Sequence, residues 1–214
     1  MIIPAIQEHR RQARLMGSAF EFVIAGEETQ AIAAMDIAVN EVQRLEKLLT
    51  EFSHDSDTAR INQSAGIQSV EVNPEVYTIL QRCKHLSTLT QGAFDITAGA
   101  LKKLYNFKGD RFSLPTEAAL TEAKLKVGSD KVILQPENKV YLQTPGMHIS
   151  FAAIGKGYAA DRVKALLMKQ GIDRGVINAS GDLTAWGTRA DGTPWKVGIA
   201  DPQDSSRILA WIPV

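Results

Sequence analysis

Residues 175–186 of this 214-residue chain have the sequence GVINASGDLTAW. The segments Gly175–Ala179 and Leu183–Trp186 have the length and composition of strands, and the glycine and aspartate between them are typical of a tight turn. Two further segments of the same kind follow, Trp195–Ile199 and Ile208–Ile212, and an Asp-Gly turn at 191–192 precedes the first of them. The C-terminal part of the chain is therefore predicted to be an antiparallel meander.

The segments that precede this meander have mostly helical patterns. The longest predicted helix is Glu27–Thr50, where apolar residues recur every three to four positions and mark one buried face. Asn73-Pro74 predicts the start of a second helix, because proline in a first turn loses no helical hydrogen bond. The predicted helices after the first are Asp57–Asn62, Glu75–Leu89, one or two turns in Leu101–Phe107, Pro115–Lys126 and Tyr158–Gln170, with Gly171 ending the last.

Strands are also predicted in the part of the chain that precedes this meander. They are Ser18–Ala25, a hairpin of Lys131–Leu134 with Lys139–Leu142, and a short strand over Met147–Phe151. Helices therefore cluster early and antiparallel strands late, which predicts the α+β class, with helices packed on a mixed or antiparallel sheet.

Composition excludes several classes of protein. The 24 basic and 24 acidic residues balance, so nothing favours nucleic acid as a partner. No apolar run is long enough to cross a bilayer, so no membrane span is predicted. Cys83 is the one cysteine and cannot form an internal disulfide. We expect His9, His54, His85 and His148 to be surface or boundary residues and not metal ligands.

The segment Ala153–Arg162, AIGKGYAADR, contains a glycine-rich stretch just before a helical pattern. Glycines let the backbone approach an anion, and the helix N-terminus with Lys156 favours negative charge. Gly155–Ala160 also matches the short dinucleotide pattern G-x-G-x-x-G/A, which leaves an NAD-type oxidoreductase as one hypothesis. The alternative is a tight strand-to-helix turn with a surface lysine.

Other polar segments also have two interpretations. In Gly92–Asp95, GAFD, the aromatic and the carboxylate could bind a ring and its sugar, or Phe94 could fill the core while Asp95 caps Thr97. In Asn178–Asp182, NASGD, the polar residues could border a phosphate loop or simply form a turn. Arg60 and Asn62 lie in a polar loop, where we expect solvated side chains.

Several segments in this order carry a more specific signal. They are MGSAFEFVIAG, RLEKLLTEF, SDTARINQSAG, LTQGAFDITAG, AIGKGYAADRV, GVINASGDLTAWG and PWKVGIADP. Together they resemble the ApbE family of bacterial FAD:protein FMN transferases over residues 16–214. The resemblance implies that FAD and Mg²⁺ bind, that a threonine or serine hydroxyl of an acceptor protein receives FMN, and that AMP is released.

The resemblance also implies roles for individual residues. Lys156 matches a cofactor contact, and the backbone carbonyl of Ala153 matches a metal ligand. Phe52 stands where many members have tyrosine, and Ser150 stands where many have aspartate. The full set of implied cofactor-binding residues is Met16, Phe52, Ala93, Phe94, Asp95, Ser150, Lys156, Asn178 and Asp182. No catalytic residue is assigned.

The resemblance implies a transferase domain over 16–214, after an N-terminal extension at 1–15. We expect the domain to be incomplete at its C-terminus, because members continue into an A-D-A-L-A-T-like segment that carries an aspartate and a threonine metal ligand. A non-catalytic FAD-binding protein or scaffold is therefore the alternative function. Members are commonly exported to the cell envelope or periplasm; this chain shows no signal pattern, so a cytoplasmic location stays open.

Overall fold

The computed structural model of the chain describes residues 6–105, 114–204 and 206–214. The helices are α1 Glu28–Leu49, α2 Asp57–Gln63, α3 Pro74–Leu89, α4 Gly99–Lys102, α5 Glu117–Lys124 and α6 Gly155–Lys169. The strands are β1 Gln7–Leu15, β2 Ser18–Gly26, β3 Val70–Glu71, β4 Val132–Gln135, β5 Lys139–Leu142, β6 Gly175–Ala179, β7 Asp182–Trp186, β8 Lys196–Ala200 and β9 Ile208–Pro213. This content confirms the predicted α+β class.

The chain divides into two compact units, one formed by Met1–Glu46 with Ile154–Val214 and the other by Lys47–Ala153. In the first unit a four-stranded sheet has the order β1-β2-β6-β7, and each neighbouring pair is antiparallel. Strands β8 and β9 form a separate antiparallel pair. The predicted domain range 16–214 stays a prediction.

The core of the first unit lies between one face of this sheet and helices α1 and α6. Alternate residues of β2, Phe20, Phe22 and Ile24, are almost fully buried on that face. They belong to the same apolar cluster as Val42 of α1 and Val163 of α6. Burial of this kind contributes on the order of 25 cal/mol per Å² of apolar area, which makes the cluster the main stabilising feature of the unit.

The second unit contains α2 to α5 and a three-stranded antiparallel sheet with the order β3-β5-β4. Helix α3 begins at the predicted place, with Pro74 in its first turn and Asn73 as a cap whose side chain accepts from the Glu75 N–H. The β4–β5 hairpin is also confirmed. The predicted helical segment Leu101–Phe107 overlaps α4, and its last two positions lie outside the described residues.

Strand β1 was not predicted. Its sequence, QEHRRQARL, lacks the β-branched and aromatic residues that favour strands. It forms because it pairs with all nine residues of β2 across the tight turn at Met16-Gly17. Basic residues on such an edge strand also discourage pairing with other chains. The two-residue strand β3 was missed as well.

One predicted helix boundary and one predicted strand were wrong in ways that affect the site. Helix α6 begins at Gly155 and not at Tyr158, so Gly155-Lys156-Gly157 forms the first helical turn. The predicted strand Met147–Phe151 is absent; it is replaced by an irregular segment and a short 3-10 helix at Phe151–Ala153. Within the described residues, no helix combines the length and the apolar character that a membrane crossing requires.

Candidate functional site

In the first unit, three of the predicted cofactor-binding residues lie near the start of α6 and the β6–β7 turn. The ammonium of Lys156 lies 3.6 Å from the Asp182 carboxylate, and both side chains are partly exposed. Asn178, at the end of β6, accepts a hydrogen bond from the Gly181 N–H at 3.0 Å. We call Lys156, Asn178 and Asp182 the Lys156 cluster.

The N-terminus of α6 carries Lys156 in its first turn. Ile154 precedes the helix, and its side chain makes no capping hydrogen bond to the first amide groups. An added Cβ at Gly157 would meet no atom within 4 Å, so the backbone is open at that position. An uncapped helix end with a lysine is suited to bind an anion such as a phosphate.

Met16 occupies an unusual conformation in the β1–β2 turn. It has φ of 50° and is followed by Gly17 at 69°. Asparagine is the usual first residue of such a turn, because its side chain tolerates positive φ better than most. The Met16 side chain packs against the main core of its unit, and its predicted contact with the cofactor stays a prediction.

In the second unit, Ser150 belongs to a network centred on a carboxylate that sequence reasoning did not select. Glu51 accepts from His148 Nε2 at 2.5 Å, from the Ser150 hydroxyl at 3.0 Å and from the Lys102 ammonium at 3.2 Å. We call Glu51, Lys102, His148 and Ser150 the Glu51 cluster. The prediction that His148 lies at the surface or at a boundary was wrong: the residue is 7% exposed.

The electrostatics of the Glu51 cluster favour a carboxylate beside a neutral imidazole. Burial lowers the pKa of His148, and nearby lysines lower it further; these effects outweigh the opposing effect of Glu51. Burial alone would raise the pKa of Glu51, but its hydrogen bonds to His148, Lys102 and Ser150 reverse this and hold the pKa below its ordinary value. The imidazole therefore donates its Nε2 proton to a charged carboxylate.

The segment before Ser150 is held by an asparagine side chain. Asn62 donates to the Ile149 carbonyl at 3.0 Å and accepts from the Ile149 N–H at 2.8 Å. This explains why the predicted strand over Met147–Phe151 is absent, since the backbone groups of Ile149 bond to a side chain and not to a neighbouring strand. The expectation of a solvated Asn62 was also wrong. Arg60 is about half exposed and pairs with Asp57.

Asp95 forms a second network in the same unit. Its carboxylate accepts from the Thr97 N–H at 2.8 Å, the Thr97 hydroxyl at 2.6 Å and the Ser129 N–H at 3.0 Å. Asp95 thus caps the short 3-10 helix Ile96–Ala98, as the second interpretation of Gly92–Asp95 predicts. Phe94 does not fill the core, because it is half-buried while Ile96 is 2% exposed.

The structure places the Asp95 and Ser150 segments side by side. The Ser150 N–H donates to the carbonyl of Ile96, the residue after Asp95, at 3.1 Å. Ala93 lies exposed in the turn before Phe94. Phe52 is 88% exposed immediately after Glu51, so its ring is free to stack on a ligand.

Ala153, the predicted metal ligand, is exposed at the end of the 3-10 helix Phe151–Ala153. Across 6–105, 114–204 and 206–214, no three histidine, cysteine, aspartate or glutamate side chains lie close enough to hold a metal ion. Magnesium prefers oxygen ligands that include carboxylates. The described residues therefore do not by themselves fit a complete magnesium site.

Comparison of the sequence with family models and with curated proteins identifies the family to which this chain belongs. The model of the ApbE family matches residues 16–214. The chain belongs to the ApbE family. Among curated ApbE relatives, the FAD:protein FMN transferase of Salmonella typhimurium is 28% identical over 199 residues, which cover 90% of this chain and 57% of that protein. A Klebsiella pneumoniae protein of the same name is 32% identical over 170 residues, 78% of this chain and 52% of that one.

Solved structures of ApbE proteins show the same fold. The ApbE protein of Thermotoga maritima superposes with a TM-score of 0.88 at 24% identity, over 97% of this chain and 68% of that one. The flavin transferase ApbE of Vibrio cholerae superposes with a TM-score of 0.84 at 21% identity, over 92% of this chain and 65% of that one. Identity this low supports the ApbE fold alone. The chain spans little more than half the length of the two curated relatives above.

Proposed function

We propose that the protein acts in FAD:protein FMN transfer. In this reaction the hydroxyl oxygen of an acceptor threonine or serine forms a bond to the FMN phosphorus of FAD. The bond from that phosphorus to the bridging oxygen of the pyrophosphate breaks. The hydroxyl loses its proton, FMN remains attached through a phosphoester, and AMP leaves. The names of the curated relatives support the donor, the transferred group and a protein acceptor.

The observation that carries this proposal is the uncapped N-terminus of α6 with Lys156 in its first turn. FAD contains a doubly charged pyrophosphate, and a helix N-terminus with a lysine stabilises such an anion. Phosphoryl transfer depends mainly on positioning and on stabilising charge on the phosphate oxygens. Lys156 supplies a positive charge for this purpose, and its partner Asp182 holds it near the turn of Asn178 and Gly181.

The ring systems of FAD need apolar surfaces and hydrogen-bond partners. The exposed ring of Phe52 offers a stacking surface. Met16, Ala93, Phe94 and Ser150 remain the proposed cofactor contacts from the sequence. Asp95 is proposed to act indirectly, since its carboxylate already receives three hydrogen bonds that shape the loop beside Phe94.

A requirement for Mg²⁺ is a separate part of the proposal. The Ala153 carbonyl is the one ligand that we propose from this chain, and bound Mg²⁺ would neutralise charge on the pyrophosphate. Magnesium at nucleotide sites commonly takes substrate phosphates and waters as its other ligands. We assign no catalytic base.

The test is incubation of the protein with FAD, Mg²⁺ and candidate acceptor proteins. A flavin-fluorescent acceptor band after denaturing electrophoresis, with an equal amount of AMP released, is the expected result. EDTA should abolish both signals, and undiminished signals in EDTA would contradict the proposed requirement for Mg²⁺. Omission of the acceptor is the control for hydrolysis of FAD.

The alternative is a non-catalytic FAD-binding protein or scaffold. The absence of a three-residue acidic or histidine group within the described ranges favours it. FAD binding without AMP release, with every acceptor and with Mg²⁺ present, would select this alternative. Binding of NAD and not of FAD would instead support the hypothesis that Gly155–Ala160 is the dinucleotide-binding segment of an NAD-type oxidoreductase.

The proposal includes a location in the cell envelope or periplasm, with the cytoplasm as the alternative. Fractionation of cells that express the natural gene, followed by immunodetection of the protein, distinguishes the two. Recovery in the envelope or periplasmic fraction is expected.

A further inference from the structure

The carboxylate of Glu51 is almost enclosed, with 12% of its side chain exposed. Its three donors come from two distant parts of the chain: Lys102 of α4, and His148 and Ser150 of the segment that leads to Ala153. A buried carboxylate is costly unless it is hydrogen-bonded, so this arrangement holds a negative charge at a defined place.

The hydrogen bonds of the cluster leave defined positions open. A carboxylate has about four acceptor positions, and three of those on Glu51 are used: two on Oε1 and one on Oε2. The Ser150 hydroxyl donates its proton to Glu51 and accepts from the Ala152 N–H at 3.4 Å. Counted over the residues that the structure describes, the Glu51 carboxylate and the Ser150 hydroxyl each retain one position that can accept a hydrogen bond but cannot donate one.

This pattern selects the ligand group that the cluster can hold. A phosphate oxygen offers no proton to these positions and would be repelled by the carboxylate. A hydroxyl or an amine can donate to them, and FAD carries ribityl hydroxyls, ribose hydroxyls and an adenine amine. Hydrogen bonds to a charged acceptor are about twice as strong as those between neutral groups.

Resting on the proposed function, we propose that Glu51 is a specificity-determining residue that supplies the carboxylate of the FAD site. It accepts a hydrogen bond from a hydroxyl or amino group of FAD, and it orients the Ser150 hydroxyl to accept as well. The residue thus recognises the sugar or base part of the cofactor, not its pyrophosphate.

The test moves the carboxylate between positions 51 and 150, because the Ser150 hydroxyl lies 3.0 Å from Glu51 Oε1. FAD affinity is measured by quenching of flavin fluorescence for the wild type, Glu51→Gln, Ser150→Asp and the double variant Glu51→Gln/Ser150→Asp. Glu41→Gln is the matched control, because Glu41 is also an ion-paired glutamate with a 12% exposed side chain. Thermal melts of each variant measure stability separately.

We expect Glu51→Gln to weaken FAD binding by about tenfold to a hundredfold. Ser150→Asp alone should also weaken it, because two adjacent carboxylates repel each other and one becomes protonated. The double variant restores a single carboxylate and should bind FAD within about threefold of the wild type. Glu41→Gln should leave FAD affinity unchanged.

Two results would overturn this proposal. One is wild-type affinity in Glu51→Gln. The other is a double variant that binds no more tightly than Glu51→Gln, which would give Glu51 a structural role alone. A wild-type protein that fails to bind FAD is distinguishable from both, since it contradicts the proposed function itself.

Discussion

The side-chain amide of Asn62 forms both hydrogen bonds that a neighbouring strand would give to Ile149. Its Nδ2 donates to the Ile149 carbonyl and its Oδ1 accepts from the Ile149 N–H, across 87 positions of sequence. Ile149 lies between His148 and Ser150, which both bond to Glu51. Asn62 therefore fixes the backbone that presents the Glu51 cluster.

Replacing Asn62 with alanine should destabilise the protein by about 2–4 kcal/mol. The reason is that the N–H and C=O of the fully buried Ile149 lose their partners. The free energy of unfolding in urea measures the effect. Asn40→Ala, which changes an exposed asparagine of α1, is the control and should cost no more than about 0.5 kcal/mol. Equal values for the two variants would refute the proposed role of Asn62.

The Asp95 network predicts a second effect on stability. Asp95→Asn replaces one carboxylate oxygen with an NH₂ group. In either orientation of the amide, this NH₂ faces an N–H donor, that of Thr97 or that of Ser129. At least one hydrogen bond is therefore lost. We expect a loss of about 1–3 kcal/mol in unfolding free energy. The exposed Asp55 is the control position, as Asp55→Asn. A near-neutral Asp95→Asn would show that its hydrogen bonds are not structural.

Acidification from pH 7 to pH 5 should destabilise the protein through His148. Burial and the lysines lower its pKa in the folded state, so the unfolded chain takes up this proton first, below about pH 6.5. The neutral His148 therefore contributes stability above about pH 6.5, and this contribution is lost as the pH falls toward the lowered pKa that His148 has in the folded protein. Glu51, whose pKa is also lowered, adds a further loss below about pH 4.3.

Thermal melts between pH 7.5 and pH 5 measure this dependence. The variant His148→Gln keeps a donor for Glu51 and should show a smaller loss of melting temperature than the wild type. His85→Gln, at an exposed position on α3, should behave as the wild type does. Parallel curves for the wild type and His148→Gln would exclude His148 as the source.

Cys83 should not react with thiol reagents in the folded protein. It is fully buried, and burial raises the pKa of its thiol to about 12. The thiolate, which is the reactive form, is therefore scarce at neutral pH. Labelling with a maleimide should proceed in urea and not in buffer, as read by mass spectrometry. Rapid labelling in buffer would indicate that the core around α3 opens.

The features that follow local rules were predictable from the sequence. Helix α3 follows from the Asn73 cap and Pro74, and the β4–β5 hairpin follows from two apolar segments on either side of a turn. The family pattern around Lys156 located the Lys156 cluster, although the glycines predict a loop where the structure has the first turn of α6.

The Glu51 cluster was not predictable in this way. Glu51 lies about a hundred positions from both His148 and Ser150, and no local pattern joins them. Asn62 lies in a polar stretch of sequence, and nothing in that stretch predicts that its side chain bonds to the backbone of Ile149. Strand β1 was missed because its pairing with β2, and not its own composition, makes it a strand.

The most direct test of the account is a titration of the protein with FAD, followed by quenching of flavin fluorescence. We predict saturable binding at one site, weakened about tenfold or more in Lys156→Ala and unchanged in Lys169→Ala, which alters an exposed lysine at the other end of α6. Both variants should keep the wild-type stability within about 0.5 kcal/mol. Absence of saturable binding, or equal affinity in Lys156→Ala and the wild type, would contradict the claim that the start of α6 holds the FAD pyrophosphate.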